Sequence, residues 1–439
     1  MTNIVKKAIP TSRLSRMGKL GSLATRVASN MLVDGIKQIG RGQSPTLKDL
    51  MLQPKNIENL ADKLSQLRGA AMKMGQLLSM DAGELLPPEL AQLLAKLRSE
   101  ATPMPHKQLL AVLKQNFGDD WLDKFSHFDL QPFAAASIGQ VHIAHAINGD
   151  KLAVKVQYPG ISKTVESDVD NVATLLKMSK LVPNHIELKP FLDEAKRQLL
   201  LEADYQQELT FLQRYRAHLK NDNQYIVPAA FTQLSSQKCL SMSFVEGIEI
   251  EQTLELEQSI RNTVIKDLIA LFFRELFEFQ LIQSDPNFAN YQYQTKTQQL
   301  ILLDFGATRD IPDHISQGYR ELLSAAAIKD NQKMHLSAEK IGFFKDNIAT
   351  EHKQSIIDIF KLATTPLHFE GEFDFGRTNI ASQIKDAGLA IQSQHNEWHT
   401  PPMDAIYVHR KLAGLYMLAS KLQAKVNVRS LFQPYLLMK

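Results

Sequence analysis

The chain has 439 residues, enough for two or three lobes with substantial cores, and its 44% hydrophobic and 22% charged residues exclude a disordered or fibrous protein. A net charge of +3 is too small to argue for nucleic acid, and the single cysteine, Cys239, excludes an internal disulfide framework and suits a reducing compartment. No uninterrupted apolar stretch approaches the ~20 residues that span a bilayer.

The chain opens with a basic segment. Up to Arg41 it carries Lys6, Lys7, Arg13, Arg16, Lys19, Arg26, Lys37 and Arg41 against one acid, Asp34. With Ile, Leu, Val and Met interspersed, it suits an anionic membrane surface, a solvated arm or a helix packed on its own protein. It lacks the long apolar core of a secretory signal. Residues 45–100 then read as helical until Pro87 and Pro88 break or restart a helix. Within them "LRGAAMKMGQLLSM", 67–80, is apolar at helical spacing, yet Lys73 and Gln76 stand three apart on one face. Gly75 between them costs the helix about 1 kcal/mol relative to alanine. The polar, twice-prolined "SEATPMPHKQ" at 99–108 is a linker.

From about 125 the character changes to strands. "GQVHIAHAI" alternates, "NGD" supplies a hairpin turn and "KLAVKVQ" is a second strand. A helical stretch over 163–218 follows, strands return in 224–247, and from about 252 the chain is helical but for 284–310. The apolar run 264–282 contains Lys266, Asp267, Arg274, Glu275 and Glu278, so it reads as a buried core helix rather than a membrane span. The expected organisation is an N-terminal segment with a helical extension at 1–105, a small mixed lobe at 106–247 and a helical lobe at 248–439.

The interruption at 284–310 carries the chemistry. Asp285 and Asn290 lie five apart in a polar loop, and "YQYQ" and "QLILL" around "TKT" read as a hairpin whose second strand delivers Asp304, Phe305 and Gly306. Two carboxylates and a carboxamide at strand ends make an oxygen-rich site for Mg²⁺. In phosphoryl transfer one Asp orients the attacking oxygen, while Asn and a second Asp hold metals that bridge the phosphates. A second "DFG" at Asp374, Phe375 and Gly376 has neither an apolar strand before it nor an Asp–x4–Asn loop upstream, and reads as coincidence. Upstream, Lys155 sits in the middle of an apolar strand, where a charge is expensive unless paired, although Lys151 and Lys155 alternating outward is the alternative. Acids for it are available at Glu202, Asp204 and Glu208. "AAASIGQV", Ala134 to Val141, stands where a phosphate-covering loop belongs, but only Gly139 is glycine, and a helix start capped by Ser137 is the other reading. His395, Trp398, His399 and His409 cluster late in the sequence without a metal-ligand spacing and read as packing or helix-end residues.

"KMGQ", "AAASIGQVHIA", "LAVKVQYPG", "LEADYQQE", "FVEG", "SDPNFAN" and "LLDFGATRD" occur in the order of the UbiB/ABC1 (ADCK, COQ8-like) atypical kinase family. "IPTSRLSRMGKLGSLA" and "PPMDAIYVHRKLAGLY", 401–416, resemble its COQ8-like branch, so the likeness covers nearly the whole chain. It implies an α+β, protein-kinase-like two-lobe fold with a helical KxGQ extension packed over the active site. It also implies ATP or ADP binding with Mg²⁺, ATPase activity, and support of ubiquinone (coenzyme Q) biosynthesis at a membrane. By this resemblance Asp285 is the catalytic-loop aspartate, and Asn290 and Asp304 are metal ligands. Lys155 binds phosphates and pairs with Glu202 or Glu208. Lys73 and Gln76 point into the nucleotide pocket, near Glu202 and Asp204. Ala134, Ala135, Ala136 and Ser137 cover the phosphates, and Phe244, Val245 and Glu246 form the hinge at adenine. The partners implied are the nucleotide, a quinone-precursor lipid, an anionic membrane surface and quinone-biosynthesis enzymes, with a homodimer left open. The expected location is cytoplasmic, peripheral on the inner membrane.

Departures from ordinary protein kinases are informative. "QSD" at 283–285 replaces HRD, and after Gly306 the chain runs straight into helix without an APE-ended activation segment. Both undercut peptide phosphorylation and favour water, or a small or lipid-like acceptor. The alternatives are a nucleotide-gated scaffold or lipid chaperone, a true protein kinase, and a small-molecule kinase of the aminoglycoside phosphotransferase kind, which leaves KMGQ unexplained.

Overall fold

A computed structural model of the chain describes residues 69–71, 73–74, 103–179, 188–344, 349–394 and 402–437. The basic segment to Arg41, Gln76, His395, Trp398 and His399 lie outside the described residues. The chain forms two compact units, one from residues 1–210 with 229–244, the other from 211–228 with 245–439.

The first unit is built on a five-stranded sheet. β1 (Phe125–Phe128), β3 (Gly139–Ala146), β4 (Lys151–Gln157) and β6 (Cys239–Ser243) lie in the order β1-β3-β4-β6, and β2 (Ala134–Ala135) pairs with β3. All pairings are antiparallel. The β3–β4 turn uses Gly149 at a φ of 89°, a left-handed conformation that glycine adopts without strain. Period-two alternation sorts β4 cleanly: Leu152, Val154 and Val156 are buried, while Lys151, Ala153 and Lys155 share the opposite face. Trp121, Phe125 and Phe128 interlock edge to face at centroid distances of 5.3 Å, closing the core beside the helix His106–Phe117. The predicted helical stretch after β4 is three helices, Ile161–Ser179, Leu188–Glu202 and Tyr205–His218. The last break is chemical. Asp204 accepts from the Gln207 amide at 3.0 Å, so it caps a new helix rather than continuing the old one.

In the second unit the helix Gln258–Arg274 buries Val264, Ile265, Leu268, Ile269, Leu271, Phe272 and Phe273, then ends in a π-turn, Glu275–Phe279, with Gln280 left-handed. β9 (Tyr291–Gln294) and β10 (Gln299–Leu302) form the expected hairpin, with Gln299 opposite Gln294 and Leu302 opposite Tyr291. They sit in a four-stranded sheet ordered β5-β10-β9-β7, where β5 is Tyr225–Ile226 and β7 is Ile248–Glu249. β8 (Leu281–Gln283) pairs antiparallel with β11 (Thr308–Asp310). Helices follow, among them Asp313–Ala327 and Met403–Lys421. The fold is α+β, and among the described residues no helix is long and apolar enough to cross a membrane.

Candidate active site

In the first unit two lysines meet two acids. Lys155 Nζ lies 2.5 Å from Glu208 Oε1, with side chains only 12% and 3% exposed. The alternation of β4 sends Lys155 away from the core face, and Glu208, on the first turns of the helix Tyr205–His218, meets it there. Lys151 points to the same face and lies over the Phe244 ring, 4.1 Å from its centroid. Outward alternation and pairing are therefore both true of this strand. Lys73, 1% exposed, lies 2.6 Å from Glu202 Oε1. The other Glu202 oxygen accepts from the Ser137 hydroxyl. Which acid takes which lysine follows from the helix break, because Glu202 ends one helix and Glu208 belongs to the next.

The segment from Ala134 is extended rather than helical: Ala134 pairs with Val141 and Ala135 with Gln140. Ser137 caps no helix and instead serves Glu202. Gly139 is required for packing, since a Cβ there would stand 2.5 Å from the Val156 carbonyl oxygen. Gly69 faces the same loop, where a Cβ would lie 2.7 Å from the Ser137 carbonyl oxygen. Asp204 is exposed and occupied as a helix cap.

In the second unit the loop Ser284–Asn290 hangs between β8 and β9, and Asp304 follows β10 by two residues. Strand ends thus deliver Asp285, Asn290 and Asp304. The loop is braced by its own chain. Ser284 Oγ donates to the Ala307 carbonyl at 2.7 Å, the Leu303 amide donates to the Asn290 carbonyl at 3.0 Å, and Asn290 Nδ2 reaches the Asp285 carbonyl at 3.4 Å. Asp304 Oδ1 accepts from the Gly306 amide at 3.0 Å. Phe305 is buried against Tyr215, centroids 5.0 Å apart. From Gly306 the chain passes through β11 directly into the helix Asp313–Ala327. The donor set of two carboxylates and a carboxamide oxygen is all hard oxygen, which fits Mg²⁺ and not a soft metal.

The second DFG copies the local turn but not its surroundings. Asp374 Oδ1 accepts from the Gly376 amide at 3.1 Å, as Asp304 does from Gly306. Asp374, however, lies 3.5 Å from Lys425 Nζ, and Phe375 packs on Phe373 and Tyr416. His409 is a packing residue, stacked on Phe343 and 2.8 Å from the Tyr319 hydroxyl.

One feature of the site region escaped sequence reasoning. Lys411 Nζ lies 2.5 Å from Glu275 Oε2, both side chains at most 3% exposed, and the Tyr215 hydroxyl donates to Glu275 Oε1 at 2.8 Å. Burial pushes the Glu275 carboxyl up against the pull of Lys411; burial is the largest single influence on Lys411 and works to lower it, but Glu275 and Tyr291 together outweigh it and raise it. The signal was present, as an acid inside the apolar run 264–282 and a lysine in the helical 403–421, but nothing local joins residues so far apart.

A model of the ABC1 atypical kinase-like domain matches residues 96–338, a span that holds Lys155, Glu208, Asp285, Asn290 and Asp304. The chain is similar to the mitochondrial atypical kinase COQ8 of Saccharomyces cerevisiae, 35% identical over 97% of this chain and 85% of that one. It is similar also to the mitochondrial atypical kinase COQ8B of Rattus norvegicus, 33% identical over 98% of this chain and 81% of that one. Among solved structures it resembles the Rv3197–erythromycin complex from Mycobacterium tuberculosis in fold, with a TM-score of 0.59 at 23% identity, covering 86% of this chain and 95% of that one. A domain match over more than half the chain, with relatives above 30% identity across nearly all of it, makes this protein a member of the ABC1 atypical kinase family and an enzyme of the kinase class.

Proposed function

We propose that the chain binds Mg-ATP and transfers the γ-phosphoryl group to water or to a small or lipid-like hydroxyl, in support of ubiquinone biosynthesis at a membrane. The observation that carries this reading is the Lys155–Glu208 pair at 2.5 Å, a lysine held in place on a strand beside the alanine-rich segment. In this reading Lys155 binds the α- and β-phosphates, Ser137 and Ala134–Ala136 cover them, and Phe244–Glu246 offers backbone hydrogen bonds to adenine. Asn290 and Asp304 hold Mg²⁺, which neutralises charge on the phosphates when bound. Asp285 orients the acceptor oxygen and takes its proton as the bond from γ-phosphorus to the bridging oxygen breaks. By the family resemblance, Lys73 and Gln76 would also act on the nucleotide. The short passage from Gly306 into helix speaks for a small acceptor over a peptide, because no long segment is left to dock one.

Purified protein with Mg-ATP and anionic liposomes is expected to release phosphate, and Asp304→Asn to reduce release to background. An Asn variant that hydrolyses as fast as wild type would falsify the assignment. The scaffold or lipid-chaperone reading has one observation in its favour, the close approach of helical Gly69 to the Ser137 carbonyl. Cells carrying Asp304→Asn separate the two, since full quinone production there supports the scaffold.

A further inference from the structure

We propose that the helix Met403–Lys421 is a positioning element for the Asp285–Asn290 loop, with Gly414 setting where the loop rests and Lys411 holding its two shoulders. The inference rests on the reading of that loop as catalytic, but its structural half is measurable without activity.

Two independent observations meet on one face of this helix, since residues 411 and 414 stand three apart. Gly414 is buried, and a Cβ there would lie 2.5 Å from Pro286 Cβ and 3.5 Å from the Pro286 carbonyl oxygen. The residue that follows Asp285 therefore rests directly on the bare backbone of the helix. One turn earlier, Lys411 reaches Glu275 at 2.5 Å and lies 6.0 Å from the Tyr291 ring centroid. Glu275 opens the π-turn that leads into β8, the strand before the loop, while Tyr291 opens β9, the strand after it.

The same network reaches the DFG turn. Tyr215 donates to Glu275 Oε1 at 2.8 Å, its hydroxyl stands 3.2 Å from the Leu281 carbonyl oxygen, and its ring packs on Phe305 at 5.0 Å. The Tyr291 hydroxyl lies 3.4 Å from Gln283 Oε1. Strands β8 and β9 and the Phe305 turn, which together present Asp285, Asn290 and Asp304, thus share one buried polar cluster whose cation comes from Lys411. A buried ion pair is a poor way to gain stability compared with well-packed apolar side chains. A buried charge pair tied to both strands by the Tyr215 and Tyr291 hydroxyls does favour one geometry over others, and that is what a loop proposed to bear metal ligands requires.

The test separates position from fold. Gly414→Ala adds a methyl group that must displace Pro286, while alanine suits a helix better than glycine. Lys411→Met removes the cation, Lys411→Arg restores it, and Lys421→Ala, an exposed position on the same helix whose partner is Glu251, is the control. The readouts are ATP turnover, nucleotide affinity, melting temperature and amide exchange of peptides spanning 281–303. For Gly414→Ala the expected result is turnover lower by about a hundredfold, with nucleotide affinity kept, the fold retained at a modestly lower melting temperature, and exchange at Asn287–Asn290 accelerated. Lys411→Met should accelerate exchange in the same segment, Lys411→Arg should recover it, and the control should match wild type. Wild-type exchange and turnover in a folded Gly414→Ala protein would overturn the proposal. Should Lys411→Met not fold, the Gly414 and Arg variants decide. If wild type hydrolyses no ATP, the catalytic reading fails, and accelerated exchange in Gly414→Ala still supports the positioning role.

Discussion

Replacing Lys155 by methionine isolates what its partner contributes. The Lys155–Glu208 contact is 2.5 Å long, and the side chains are 12% and 3% exposed, so solvent screens it little. With an effective dielectric of about 20, the gross attraction at that separation is about 6–7 kcal/mol. Desolvation offsets much of this, and removing one partner of such a buried pair costs about 3–5 kcal/mol, chiefly from the charge left behind. Lys155→Met leaves that charge on Glu208 and should destabilise the first unit by about that amount. Glu208→Gln keeps a neutral acceptor for Lys155, which retains a path to water, and should cost about 1–2 kcal/mol. In the double variant neither charge is stranded, so stability should recover and leave a coupling of at least about 2 kcal/mol. Urea unfolding read by pulsed amide exchange on peptides from Lys151–Gln157 confines the measurement to this unit. The refolded double variant should still fail to bind Mg-ATP, because the cation proposed to bind the phosphates is gone. Single-variant losses that simply add in the double variant would refute the buried-pair account.

Two further tests address packing and pH. At Gly139 an added Cβ would stand 2.5 Å from the Val156 carbonyl oxygen, so Gly139→Ala must part β3 from β4 and should cost about 1–3 kcal/mol by urea unfolding; unchanged stability would show that the strands yield freely. Burial pushes the His409 pKa from 6.5 down to about 4. The unfolded chain therefore takes up the proton first, and stability present above pH 6.5 is lost as pH falls towards 4. The ring keeps some solvent access, which caps the loss at about 3 kcal/mol. Urea midpoints at pH 7 and 4.5 should fall further for wild type than for His409→Gln, and equal falls would assign the acid sensitivity elsewhere.

Much of this protein is written locally. The β3–β4 and β9–β10 hairpins follow from alternation and turn residues within a dozen positions, and the mostly apolar run after Val264, interrupted by charges, reads as a buried core helix from its local pattern. The Asp285–Asn290 loop and Asp304 were legible because strand ends in sequence are strand ends in space. Local chemistry also has a limit, which the two DFG turns display: Asp304 and Asp374 accept the same hydrogen bond from the same downstream glycine. The flanking sequence already sets them apart, and packing does so in space, with Phe305 set on Tyr215 and Asp374 turned to Lys425. The partner of Lys155 was likewise undecided until Asp204 capped a new helix and gave Glu202 to Lys73 and Glu208 to Lys155. The ties between Lys411 and Glu275 and between Gly414 and Pro286 join residues more than a hundred positions apart. Periodicity and turn chemistry act over a few residues, so sequence alone determined the elements and singled out the candidate side chains. Which charge is neutralised by which, and what the Asp285–Asn290 loop rests against, are set by burial, and burial exists only once the chain has folded.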